Sequence, residues 1–107
     1  MNNYIMYLDD IRDPKTDRPW VVVRSVYEAL SYFEVNGCPI EISFDHDLGD
    51  NVPSGFDLAK TLVEVDINCN GTFIPKDFKF NVHSANPVGA ANISGILDNY
   101  LKFKQNQ

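Results

Sequence analysis

Three short apolar runs in this chain each stop at ionisable residues, and that recurrence most constrains how it can fold. Tyr4 to Leu8 ends in Asp9-Asp10, Ile40 to Phe44 ends in Asp45-His46-Asp47, and Phe78 to Val82 ends in His83-Ser84. Short runs of apolar, β-branched and aromatic residues bounded by turn residues read as strands, and Tyr4 to Leu8 reads as one buried on both faces. The middle run passes through Leu48-Gly49 and Pro53-Ser54-Gly55 into Phe56-Asp57-Leu58-Ala59-Lys60-Thr61-Leu62-Val63, where apolar residues recur at helical spacing. A strand, an ionisable tip, a loop and a helix form the repeating unit of open α/β sheets. Ligands of such sheets sit beyond the carboxyl ends of the strands.

The rest of the chain fits that plan. Ile11 to Pro19 carries Pro14 and Pro19 and no periodicity, so it reads as a loop. Trp20 to Arg24 is β-branched and reads as a further strand. Ser25 stands three residues before Glu28, a capping-box spacing, and Val26, Ala29, Leu30 and Phe33 then mark a helix closed by Asn36-Gly37. The next helix starts near Ser54 or Gly55 and stops near Val65 to Ile67, before a Cys69-Asn70-Gly71 turn. A last helix runs from about Val88 or Gly89 to Lys102, with Ile93, Ile96, Leu97, Tyr100 and Leu101 on one face. The tail from about residue 103 is expected to fray. The order β, β, α, β, α, β, α with right-handed crossovers predicts a mainly parallel four-stranded sheet flanked by about three helices. The fold class is α/β, in one domain spanning residues 1–107.

Composition narrows the partners. At 107 residues the chain can bury a single modest core, and its 44% hydrophobic and 12% aromatic content argues against disorder. The net charge of −6 lacks the clustered Lys and Arg that grip duplex nucleic acid. Cys38 and Cys69 fit no metal or redox motif and read as reduced thiols. No apolar run approaches the ~20 residues of a membrane span. Met1-Asn2-Asn3-Tyr4 lacks the basic-then-apolar pattern of a signal peptide, so a soluble, cytoplasmic protein is expected.

The strand tips supply candidate chemistry. Asp9, Asp10 and Asp45 repel one another unless a cation or proton lies among them, and together they suit a divalent ion such as Mg²⁺ or Mn²⁺. Their alternative role is to cap the turns that follow. Asp47 shares strand parity with Asp45 and either joins that site or lies in the loop. His46 and His83 are the two histidines, suited to general acid and base work, or else to bonding a backbone carbonyl. Ser84, Asn86 and Gly89 sit at the start of the last helix, where unpaired N–H groups attract phosphate, although Ser84 and Asn86 equally suit N-capping. Arg12 can clamp a phosphate or lie exposed in its loop. Gly55 and Gly89 read as backbone devices, one at a turn and one allowing close approach at a helix start. A Ser84–His83–Asp triad is disfavoured, because adjacent strand residues point apart and no nucleophile elbow is present.

Leu8-Asp9-Asp10, Phe44-Asp45-His46-Asp47-Leu48, Gly55 and Ser84 together resemble response-regulator receiver domains. Leu8-Asp9-Asp10-Ile11-Arg12-Asp13-Pro14, Ser43 to Gly49, Ser54-Gly55 and His83 to Gly89 resemble more closely the cyclic-phosphate processing receiver-like family, from Tyr4 to about Leu101. That resemblance implies a receiver-like (flavodoxin-like) sheet whose acidic pocket serves cyclic-phosphate nucleotides. It implies a phosphodiesterase acting on a small cyclic nucleotide or a cyclic-phosphate end. Asp9, Asp10, Asp45 and Asp47 would hold the metal, His46, His83 and Asp45 would act in catalysis, and Arg12, Ser84, Asn86 and Gly89 would bind substrate. A non-catalytic module that binds or sequesters a cyclic nucleotide is the alternative. A phosphoacceptor role for Asp45 is disfavoured, because no further strand ending in Lys follows Ser84 and no helix joins the first two strands.

Overall fold

The four strands pair into one sheet in a computed structural model of the chain, which describes residues 3–107. Met1 and Asn2, part of the stretch read as lacking a leader, lie outside the described residues. The strands are β1 (Ile5–Leu8), β2 (Trp20–Val23), β3 (Glu41–Phe44) and β4 (Lys79–Val82), arranged β2-β1-β3-β4. Every pairing is parallel, with Leu8 between Val23 and Phe44, and Phe44 beside Val82. The helices are α1 (Val26–Asn36), α2 (Gly55–Asn68) and α3 (Pro87–Gln105). This is an α/β receiver-like fold in the predicted element order. Among the described residues, no helix is long and apolar enough to cross a membrane.

All three helices lie on one face of the sheet. The chain moves in one direction across the sheet from β2 to β3 through α1 and from β3 to β4 through α2. Right-handed crossovers therefore place α1 and α2 together, and α3 packs on α2 and β4. Alternation along the strands sends Met6, Leu8, Val23, Ile42 and Phe44 into this layer, where they meet Ala29, Phe33, Leu58, Leu62, Ile93 and Leu97. The step from β1 back to β2 runs the other way and must cross the opposite face. It does so as a loop, not as a helix.

The second face is covered unevenly: in β1, Ile5, Met6 and Leu8 are buried and Tyr7 is partly buried, close to the expectation of a first strand buried on both sides. Tyr7 and Trp20 are only partly buried there, their rings meeting edge-on at 5.6 Å. Glu41, buried on the same face, is held by both guanidinium nitrogens of Arg18 at 2.8 Å, and that guanidinium covers the Trp20 ring.

Local chemistry sets the helix ends. Ser25 accepts from the Glu28 N–H, while the Glu28 carboxylate takes the N–H of Arg24. Ser54 and Asp57 form a complete capping box for α2. Asn86 caps α3, with Pro87 in the first turn, where its missing N–H costs nothing. The last helix continues to Gln105, beyond the predicted Lys102, because Lys104 is anchored. Its Nζ lies 2.9 Å from Asp66 and bonds the carbonyls of Gly71 and Ile74.

Asp66 is fully buried and closes the far end of the domain. One oxygen accepts from the N–H groups of Phe73 and Ile74, and the other from the Tyr100 hydroxyl at 2.6 Å. Burial pushes this carboxyl up, but the Ile74 N–H, Tyr100 and Lys104 together hold it below the usual carboxylate range. Tyr100 in turn is pushed up to about 12, by burial first and then by Asp66. Asp66→Ala is expected to cost about 3 kcal/mol in urea unfolding, because buried donors lose their acceptor. A loss below about 1 kcal/mol would show that the α2–β4 loop does not depend on this carboxylate.

Candidate active site

Each strand ladder runs one residue past its strand, and this assembles the site. The N–H groups of Asp9, Asp45 and His83 bond the carbonyls of Val23, Leu8 and Phe44 at 3.1, 2.9 and 2.9 Å. Because the strands are parallel, all three residues arrive at the same carboxyl edge. They also share parity with Tyr7, Ser43 and Asn81, so they turn toward the face without helices. The His83 ring confirms this, stacking on Tyr7 with centroids 4.3 Å apart and planes 5° from parallel.

Asp9 is the most constrained of the group, with no exposed surface. Its Oδ1 accepts from the N–H groups of Ile11 and Arg12 at 3.0 and 2.8 Å. Its Oδ2 meets Arg12 Nε at 2.9 Å and His83 Nε2 at 3.0 Å. Burial alone would raise this carboxyl, but the Arg12 and Ile11 N–H groups, His83 and the Arg12 charge hold it below its ordinary value. Asp9 is therefore an anion with its lone pairs used.

Asp45 behaves oppositely. It is buried, and burial first and the neighbouring Asp9 charge second push its carboxyl up. Its Oδ1 accepts from the N–H of His46 at 2.9 Å and lies 3.5 Å from Arg12 Nη2. Asp10 is partly buried beside it. One ligand oxygen from each of Asp9, Asp10 and Asp45 can lie within 4.8 Å of the others. An all-oxygen, all-carboxylate donor set of this size suits a hard divalent ion. Asp10 and Asp45 have acceptor capacity left for one, whereas Asp9 is already saturated.

The other predicted residues divide into two groups. Arg12 joins the acidic cluster, bridging Asp9 and Asp45. His46, by contrast, has the opposite parity and turns toward the helices, where its ring lies on Gly89. A Cβ at Gly89 would overlap that ring. His46 Nδ1 meets Asp47 Oδ1 at 2.9 Å, and Asn86 Nδ2 donates to Asp47 Oδ2 at 3.3 Å. Asp47 thus lies with His46 and Asn86 at the start of α3, apart from the three grouped carboxylates. Asn86 Oδ1 caps the Gly89 N–H, and Ser84 Oγ accepts from the Asn86 N–H. Gly55 brings α2 against the end of β3: its N–H bonds the His46 carbonyl, and a Cβ there would collide with the Asp45 carbonyl.

Two contributors escaped the sequence reading. Ser43 is buried, with Oγ 2.7 Å from His83 Nδ1 and 2.5 Å from Asn81 Oδ1. Tyr7 supplies the surface on which His83 stacks. Both stand two residues before a tip carboxylate, so strand parity alone would have pointed them at the site.

The two carboxylates predict opposite pH behaviour in metal-free buffer. Asp45 holds its proton more tightly folded than unfolded, so its ionisation subtracts stability as pH rises through the folded value, and the loss persists above it. Asp45→Asn keeps the oxygen that accepts from His46 and should raise the Tm at neutral pH, with the gain fading in acid. Asp9, held low, contributes stability that is lost as pH falls through its folded value, so Asp9→Asn should lower the Tm at neutral pH. Thermal unfolding with EDTA across this range checks both, and shifts of the same sign would refute the assignment.

Among curated proteins and among solved structures, nothing matches the chain. A protein-family model does: the cyclic-phosphate processing receiver domain, over residues 4–99. That span takes in all three ionisable strand tips, the Arg12 loop and most of α3. The chain therefore belongs to the cyclic-phosphate processing receiver domain family.

Proposed function

We propose that this domain is a divalent-metal-dependent phosphodiesterase that processes cyclic phosphates on nucleotides or RNA ends. The observation that carries the reading is the grouping of Asp9, Asp10 and Asp45 within 4.8 Å, with Arg12 and His83 bonded into the same edge. Asp10 and Asp45 would hold Mg²⁺ or Mn²⁺, with Asp9 fixing the geometry behind them. Such an ion polarises a phosphoryl oxygen and lowers the pKa of bound water. Arg12 is half-exposed while engaged with both carboxylates, so its outer N–H groups are free to orient a phosphate. His83 Nε2 lies 3.0 Å from Asp9 Oδ2, which makes His83 the candidate general acid at this edge. The thiols, Cys38 buried and Cys69 exposed, are both free, which suits the cytoplasmic setting we assign.

A binding module without turnover is the second reading, and one observation favours it. Both ring nitrogens of His83 are engaged, by Asp9 and Ser43, and His46 faces α3, so no second histidine stands at the carboxylates.

The decisive assay incubates the protein with 2′,3′- and 3′,5′-cyclic nucleotides and cyclic dinucleotides, with Mg²⁺ or Mn²⁺, and follows products by phosphorus NMR. Ring opening that requires the ion is expected. Conversion of none of them, with tight binding of one, would replace the enzyme by a sequestering module. His83→Ala should lower turnover by about 10²–10⁴-fold. His46→Ala, away from the carboxylates, should change it much less. The Asp10→Asn, Asp45→Asn double variant should abolish the rise in Tm that Mn²⁺ gives the wild type. Without such a rise in the wild type, the carboxylates are not a metal site.

A further inference from the structure

The sheet face without helices runs directly into the carboxylate edge, and its side chains form one continuous strip. Arg18 lies over the Trp20 ring at 4.9 Å, Trp20 meets Tyr7 at 5.6 Å, and Tyr7 stacks on His83 at 4.3 Å. His83 then joins the strip to Asp9 on one side and, through Ser43, to the exposed Asn81 on the other. A sheet face in an α/β domain is ordinarily covered by helices. Here the loop between β1 and β2 stands in for one, and Tyr7 and Trp20 stay partly exposed.

The strip does not have the character of a surface awaiting a helix. Its Arg18–Glu41–Lys79 cluster, Ser43, Asn81 and His83 are polar, and Tyr7 and Trp20 stand among them beside Ile5 and Val22. Aromatic rings beside hydrogen-bonding groups provide what a planar base needs: stacking that tolerates any base, and donors and acceptors for its edge. The strip also meets the site at His83. A ligand with its phosphate at Asp10, Asp45 and Arg12 would therefore extend over this face.

We propose that the Tyr7–Trp20 strip is a base subsite for a nucleoside cyclic phosphate. The proposal rests on the cyclic-phosphate reading above and adds to it the surface on which the base of the nucleotide lies. Trp20 is the one tryptophan of the chain, so its fluorescence reports on the subsite directly. The experiment titrates adenosine 2′,3′-cyclic phosphate and base-free glycerol 1,2-cyclic phosphate in Mg²⁺, following Trp20 emission, calorimetry and product formation. The adenosine compound is expected to quench Trp20 and to bind more tightly, by roughly 5- to 150-fold, the worth of one base–aromatic stack. Trp20→Leu, followed by calorimetry, and Tyr7→Leu should erase most of that preference, and Tyr7→Phe should retain it. Equal handling of the two compounds with silent Trp20 emission would overturn the subsite and leave the cyclic-phosphate reading standing. Neither compound being bound nor converted would overturn both. Emission that changes with protein concentration alone, with dimers in sedimentation, would make the face a self-interface and overturn the subsite.

Discussion

The carboxylate of Asp9 is the interaction on which the edge of this domain depends. A buried anion is costly unless its lone pairs are filled, and those of Asp9 are filled from three directions. The Ile11 and Arg12 N–H groups bend the loop around it, the Arg12 side chain returns to it, and His83 reaches it from the end of β4. One side chain thus fixes the loop after β1, orients the arginine that bridges to β3, and fixes His83. Arg24 reinforces the same loop by bonding the carbonyls of Asp9 and Arg12.

That arrangement separates two neighbouring carboxylates into different chemical states. Asp9 has hydrogen bonds enough to outweigh its burial, whereas Asp45 has one backbone N–H and a more distant guanidinium. The first is held low and the second pushed up, in part by the charge of the first. Pairs of titratable groups whose surroundings drive them apart are characteristic of working sites. At this edge the asymmetry leaves Asp45 as the group that gains most from a cation, since a cation relieves both causes of its shift. Arg12 supplies part of that charge.

Much of this was legible in the sequence because it is carried by periodicity and by strand tips. The parallel sheet, the three helices and the shared edge of Asp9, Asp45 and His83 follow from apolar runs that end in ionisable residues. The caps at Ser25, Ser54 and Asn86 follow from residue type and spacing. What the sequence could not settle was direction. Asp45 and Asp47 look equivalent by parity, but the chain leaves the strand after Asp45, and Asp47 goes with His46 to the start of α3. The partners of His83 were hidden for a different reason. Ser43 and Tyr7 sit inside apolar runs, and only the sheet register brings them under a ring from another strand.

The loop between β1 and β2 gives the site its orientation. With helices on both faces, a carboxyl edge is a crevice between layers. With one helical layer missing, the edge adjoins a face that this loop covers only in part, and alternation sends Asp9, Asp45 and His83 to that side. The same alternation sends His46 toward the helices, where Gly89 has no side chain to keep it out. The two histidines flanking the edge are thereby assigned to different layers by strand parity. His83 is left as the residue that joins the acidic edge to the aromatic face.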